Sequence, residues 1–217
     1  MIKVDTHVHT CYSRDGLLSP EAVIEGCQKR GLGAVAITDH NTTAGAFAVR
    51  ELAPFPVIIG QEVSTSHGEV LGLFLEEEVP RDLLPREAVE FIKRQGGLAG
   101  VPHPFDRLRR EAVGERVLRE IAAQLDFIEV LNSRVTLSGD NRRAEEFARA
   151  AGLPCTAGSD AHSGYELGRA YVEMLPFSGK EEFLSGLAGG RIVGSLSPFS
   201  VHFFSLYARM RRRLVKG

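Results

Sequence analysis

The chain has 217 residues, 43% of them hydrophobic and 25% charged, with a formal net charge of −2. That length fits one domain with a sizeable core, and the near-neutral balance excludes a protein that holds long polyanions by overall charge. Three cysteines, Cys11, Cys27 and Cys155, form no CxxC pair, which excludes a disulfide framework and a cysteine-ligated zinc.

In chain order, short apolar runs alternate with helix-patterned segments. Residues 2–5 read as a strand, with no basic-then-apolar leader before IKVDTHVH, and a helix follows over 20–30 with Ser19 as N-cap, Pro20 in its first turn and Gly31 as its stop. Strands at 34–38, 56–60 and 69–75 come next, with helices over 43–52 and 86–95, the second stopped by Gly96-Gly97. The series continues with a strand at 98–101, a helix near 112–124, a strand at 127–131, a helix over 140–151 closed by Gly152, and a strand at 154–158. No apolar run approaches the roughly 18 residues of a membrane span, so the expected setting is the cytoplasm, with no membrane partner.

Seven strands separated by helices indicate an α/β protein, either a parallel barrel or an open doubly wound sheet. The polar motifs decide between them. His7, Asp39-His40, Glu62, His103, Asn132 and Asp160 each follow an apolar run, where a barrel presents its catalytic face. A barrel collects all of them in one pocket, whereas an open sheet spreads them along a crevice.

His7 and His9 stand two apart on a strand and so share a face. Asp15 lies in the loop YSRDG, Asp39-His40 and Asp160-Ala-His162 set acid beside imidazole, Glu62 is the carboxylate after the third strand, and His103 sits between two prolines. Singly, each is an ordinary polar residue of a turn or core. Together, at matched strand ends, they form a metal site, and mixed carboxylate and imidazole ligands suit zinc, manganese or iron better than calcium. His202, in PFSVHFF, has no acidic neighbour and is expected to pack; the basic tail ARMRRRLVKG reads as a solvated helix end.

DTHVHTCYSRDG, AVAITDHN, GQEVST, GVPHP and AGSDAH, in this order, resemble the motifs of the PHP family, named for polymerases and histidinol phosphatases. The resemblance implies a distorted (β/α)7 barrel with a metal site at the C-terminal strand ends and up to three divalent ions (Zn, Mn or Fe). By position, the first ion takes His7, His9, Glu62 and Asp160; the second shares Glu62 and takes His103; the third takes Asp15, His40 and His162. Many members have a further histidine ligand where this chain reads STSHGEVLGL, so either His67 or Glu69 fills that place, with Glu69 favoured as the first strand-like position. Asp15 stands where some relatives have histidine, which favours manganese or iron. The barrel is expected over residues 1–175, with 176–217 as a C-terminal extension packed on it.

The chemistry implied is phosphoester hydrolysis by a hydroxide held between metals that Glu62 bridges. Arg134, beside Asn132, offers a planar fork to phosphate, and His40 or His162 stands near the leaving oxygen, although a metal-bound water suits that proton transfer better. Asp5 and Asp39 are expected to orient imidazoles from behind. The substrate expected is a small phosphomonoester such as histidinol phosphate or a nucleotide. Hydrolysis of short nucleic acids is the alternative, and a non-catalytic metal-stabilised binding module is the third reading. The loop 105–110, with three arginines, carries no legible substrate signal, and the oligomeric state is not legible either.

Overall fold

The computed structural model describes residues 1–201 and Met210; His202 and most of the basic tail lie outside the described residues. Strand β1 (Ile2–Val8) leads to helix α1 (Pro20–Arg30). The Ser19 side chain accepts from Ala22 N, and Gly31, at φ 66°, closes the helix in a left-handed turn that glycine adopts without strain. Then follow β2 (Ala34–Ile37), α2 (Ala44–Leu52), β3 (Val57–Thr65), β4 (Gly68–Leu73), α3 (Pro85–Arg94), β5 (Leu98–Val101), α4 (Gly114–Ile121) and β6 (Phe127–Asn132). The order ends with α5 (Ser138–Ala151), β7 (Cys155–Gly158), β8 (Ala170–Met174), α6 (Lys180–Ala188) and β9 (Arg191–Gly194).

The strands lie in the order β7-β6-β5-β4-β3-β2-β1-β8-β9. β1, β2 and β3 run parallel, as do β5, β6 and β7, but β4 is antiparallel to both of its neighbours. The sequence reading of seven strands separated by helices fails at this point. Only Ser66 and His67 connect Thr65 to Gly68, and so short a link can only return the chain as a hairpin.

The front of β1 pairs antiparallel with β8, Ile2 opposite Met174 and Val4 opposite Val172. Its far end meets the chain just after β7: Val8 bridges Ala161, Asp160 N donates to His7 O at 2.7 Å, and His9 N donates to Ala161 O at 2.9 Å. Strand β8 thus lies against one end of β1 while the other end nearly closes the barrel. That closure carries Asp160 and His162 from the end of the series to the first strand.

Side chains from β2 alternate between two cores. Ala34 and Ala36 point into the barrel with Val4, Ile58, Leu71, Leu73, Leu98 and Phe127, while Val35 and Ile37 face the helix layer with Val23, Ala46 and Val49. Small residues inside leave room for larger ones: a Cβ on Gly100 would lie 2.2 Å from the Phe127 ring. From α6, Phe183 and Leu187 join this inner core. Among the described residues no helix is long and apolar enough to cross a membrane.

Phe183 is fully buried, so Phe183→Ala should lower stability by about 3–5 kcal/mol, read from urea unfolding. An unchanged midpoint would show that α6 does not help to complete the barrel core.

Candidate metal centre

Above the apolar filling, the inward positions turn polar. A register shift between Asp5 and Val8 puts three β1 steps opposite two of β2, from Val35 to Ile37. This bulge changes which side chains face inward, so Val4 below and His7 and His9 above all point into the barrel while Val8 turns to the helices. A second shift, between Glu129 and Leu131 of β6, lies beside it. Two site residues, His103 (φ 29°) and Asp160 (φ 52°), and Asn41 (φ 57°), which follows His40, hold backbone conformations that side-chain-bearing residues rarely adopt.

Glu62 lies at the centre. One oxygen is 3.4 Å from His7 Nε2, 3.3 Å from His9 Nε2 and 3.1 Å from His40 Nδ1; the other is 2.9 Å from His103 Nε2. Asp160 Oδ1 lies 3.3 Å from His9 Nε2 and 3.8 Å from His7 Nε2. On the far side of Glu62, Glu69 is 3.3 Å from His40 Nδ1 and 3.8 Å from His103 Nε2. Asp15 Oδ1 stands between His162 Nε2, at 3.5 Å, and His40 Nε2, at 3.7 Å. Nine of the ten residues expected as ligands thus converge at one barrel mouth.

The tenth, His67, is exposed at the tip of the β3–β4 hairpin, where its Nδ1 is 3.0 Å from Ser66 Oγ. Strand register separates the two rivals. Glu62 pairs with Leu71 and Ser64 with Glu69, so Glu69 shares the inward face with Glu62, whereas His67 is in the turn beyond the last pair.

The chemistry of the donors fits divalent cations. His7 Nε2 and His9 Nε2 are 3.0 Å apart, about the separation of two nitrogens bound at right angles to one ion at roughly 2.1 Å each. Three sets, His7/His9/Glu62, His40/Glu62/Glu69 and His9/His40/His162, place one ligand atom per residue within 4.8 Å of the others. Asp15, Glu62, Glu69 and Asp160 are each at most 4% exposed, and such a concentration of buried carboxylate requires positive charge.

Ionisation follows from that crowding. Burial alone would raise the Glu62 carboxyl, but His7, His40 and His103 hold it well below the usual carboxylate range. Burial and the neighbouring Glu62 carboxylate together raise Glu69. Burial works against protonation of His7 and His40, yet the surrounding acids win: His7 is raised well above its ordinary value and His40 to about 10. His162 goes the other way, to about 3, through burial and the Arg134 guanidinium 2.5 Å from its Nδ1. Without metal, protons on imidazole supply part of the positive charge the site needs.

Several groups behind the cluster were not anticipated. Glu129, fully buried on β6, places one oxygen 3.1 Å from His7 Nδ1 and accepts with the other from His103 N and Asn132 Nδ2, both at 2.9 Å. Its signal lay in the alternation Phe127, Glu129, which puts a carboxylate on an inward face just above a core ring. Ser13 Oγ is 3.1 Å from His9 Nδ1 and accepts from His40 N. Asp5 and Asp39, expected to orient imidazoles, organise backbone instead. Asp5 accepts from Ser159 N and Gly168 N, and Asp39 from Thr10 N and Ser13 N. A Cβ at Gly158 would lie 2.2 Å from His7 Cβ, so only glycine lets β7 pass so close.

Five residues of the cluster, Asp15, His40, Glu69, Asp160 and His162, line a cavity of about 440 Å³ that also presents Arg14, Arg109 and Arg134. Arg134 Nε lies 3.1 Å from Glu166 Oε1, and Arg109 spans Asp106 and Asp160, at 3.2 and 2.6 Å. Imidazoles and carboxylates gathered with arginines at the C-terminal mouth of an α/β barrel define a metal-dependent hydrolytic centre suited to anionic substrates.

The chain belongs to the PHP domain family. The PHP domain model matches residues 5–92 and the PHP-associated model residues 139–192. An uncharacterised protein of Methanocaldococcus jannaschii is 39% identical over 61% of this chain and 82% of its own length. A 3′,5′-nucleoside bisphosphate phosphatase of Chromobacterium violaceum is 28% identical over 96% of this chain and 83% of its own. Others, matched over 22–53% of this chain, are named as 5′-3′ exoribonucleases. In fold, the chain is similar to a Bacteroides vulgatus two-domain protein containing a predicted PHP-like metal-dependent phosphoesterase, with TM-score 0.71 and 19% identity over 89% of this chain and 65% of that one. The protein is a hydrolase acting on phosphate esters.

Because His7 and His40 hold protons more tightly than free imidazole and an imidazolium cannot ligate, metal affinity should rise with pH from about 6 to 9. Calorimetry in buffers of different ionisation enthalpy should show proton release on binding; pH-independent affinity would contradict this. Glu129→Gln should weaken metal binding about 10–100-fold in a folded protein, whereas His67→Ala should leave it unchanged. Equal effects of the two substitutions, read by competition with a chelating dye, would contradict the placement of both.

Proposed function

We propose that this protein hydrolyses a small phosphate monoester, with divalent cations held by His7, His9, Asp15, His40, Glu62, Glu69, His103, Asp160 and His162. The observation that carries this reading is one cavity lined by Asp15, His40, Glu69, Asp160 and His162 together with three arginines, with Glu62 3.1 Å from His40 Nδ1 and in contact with His7, His9 and His103. Bound there, zinc, manganese or iron would supply Lewis acidity toward the phosphate and lower the pKa of a water nucleophile.

The chain's own residues do the rest. Glu62 faces His7, His9 and His40 with one oxygen and His103 with the other, so this one side chain would help to hold cations on both sides of it. Arg134, braced by Glu166, and Arg109, braced by Asp106, present planar donors suited to phosphate oxygens. Both are held before substrate arrives, which reduces the ordering required on binding. With His40 and His162 committed as ligands, neither serves as general acid, and the leaving oxygen takes its proton from water at the open mouth.

A compact cavity and a near-neutral chain favour a small substrate over a long nucleic acid, which would need a basic track beyond the site. The match to a nucleoside bisphosphate phosphatase over nearly the whole chain supports the same choice.

The test is a panel of phosphomonoesters and phosphodiesters offered to metal-stripped protein refilled with manganese, zinc or iron. Phosphate release from small monoesters with at least one ion is expected. No turnover with any ion sinks the proposal, and preferred cleavage of oligonucleotides replaces it with the nuclease reading. Glu62→Gln should cost more than about 100-fold in kcat/KM and reduce bound metal; an active, fully loaded variant refutes the bridging role.

A further inference from the structure

Asp140 and Asn141 stand side by side in the first turn of α5, buried although both are polar. Neither lines the cavity, and each bonds to a segment that does. An acid in the first turn commonly stabilises the start of its own helix. Asp140 directs both oxygens elsewhere, to the loop after β5: Oδ2 accepts from Arg107 N at 3.2 Å and Oδ1 from Arg107 Nε at 2.9 Å. Two residues further on, Arg109 reaches Asp106 and Asp160 at the cavity.

The Asn141 amide faces the end of β6. Its Oδ1 accepts from Asn132 N at 3.2 Å and its Nδ2 donates to Asn132 O at 3.1 Å, so it satisfies both backbone groups as a neighbouring strand would. Asn132 Oδ1 in turn accepts from Arg134 N at 2.9 Å. Two adjacent residues of one helical turn thereby hold the segments that carry Arg109 and Arg134, which are far apart in sequence.

We infer that Asp140 and Asn141 are positioning residues for phosphate: this turn of α5 fixes the separation at which Arg109 and Arg134 meet the oxygens of the substrate. This rests on the reading of those two arginines as phosphate contacts. A guanidinium on a loop that samples other conformations must be ordered when substrate binds, and a donor already in place avoids that loss. Ground state and transition state carry the same phosphoryl oxygens, so lost positioning weakens both alike and shows in KM more than in kcat. The two effects are separable, because Asp140 acts through Arg109 and Asn141 through Arg134.

The test measures KM and kcat for para-nitrophenyl phosphate, and calorimetric Kd for inorganic phosphate, in protein saturated with manganese. Asp140→Ala and Asn141→Ala should each raise KM and Kd about five- to tenfold, with kcat within about twofold. In an Arg109→Ala background Asp140→Ala should add nothing, while in Arg134→Ala it keeps its full effect; Asn141→Ala should show the reverse. Ala148→Gly, which weakens α5 through its buried face, should lower the melting temperature and leave KM and Kd as native. Full additivity in both backgrounds, or a rise in KM for Ala148→Gly equal to that for Asp140→Ala, reduces the pair to a structural role and overturns the inference. If Arg109→Ala and Arg134→Ala bind phosphate as the native protein does, the reading of the arginines falls and the positioning with it. If those two bind it weakly while Asp140→Ala and Asn141→Ala bind it as native, the positioning alone falls. Phosphate binding that follows the expected pattern without turnover upholds the positioning and removes the monoester reading instead.

Discussion

The structure depends on one electrostatic constraint: four carboxylates, Asp15, Glu62, Glu69 and Asp160, are buried within a few ångströms of five imidazoles. Such a cluster cannot be stabilised by apolar packing, because stripping a carboxylate of water costs several kcal/mol unless positive charge replaces it. Protons on His7 and His40 meet part of that need, and divalent cations meet it better while leaving the imidazoles neutral and ligating. The same charge that balances the carboxylates is what a phosphate ester needs to be attacked.

The fold serves this constraint by dividing the barrel along its length. Below, alanines, leucines and Phe127 fill the interior, with Phe183 of α6 in the same core; above, the inward side chains include His7, His9, Glu62 and Glu69, with Glu129 against His7. The change happens within single strands: Val4 then His7 on β1, Phe127 then Glu129 on β6, Leu71 then Glu69 on the reversed β4. Bulges in β1 and β6 keep the inward faces aligned across it. Closure of β1 against the chain after β7, only at the upper end, brings Asp160 and His162 to His7 and His9. Glu129 then couples the first, fifth and sixth strands through one carboxylate.

Much of this was legible because it is local. The helix over 20–30 announces itself with Ser19, Pro20 and Gly31, and the HxH, DH and DAH strings stand where strands end. What was not legible depends on pairing. That β4 runs backwards follows from a two-residue link that reads equally well as the start of a loop. Glu69 was separable from His67 only through the register Ser64 to Glu69. Glu129 lacks the histidine or aspartate neighbours that drew attention elsewhere, and Asp5 and Asp39, which have them, turn out to bind backbone amides. Neither β8, within the span 1–175 expected for the barrel, nor β9, in the extension beyond it, was read as a strand, although β8 pairs with β1 itself.

The most direct test of this account is a crystal structure of manganese-loaded protein with anomalous difference maps recorded at the manganese edge. The account requires ions that share Glu62, one between His7, His9 and Asp160 and another toward His103 and Glu69, with further density toward Asp15, His40 and His162. Ions bound elsewhere, or a loaded site in which Glu62 contacts none of them, would contradict it.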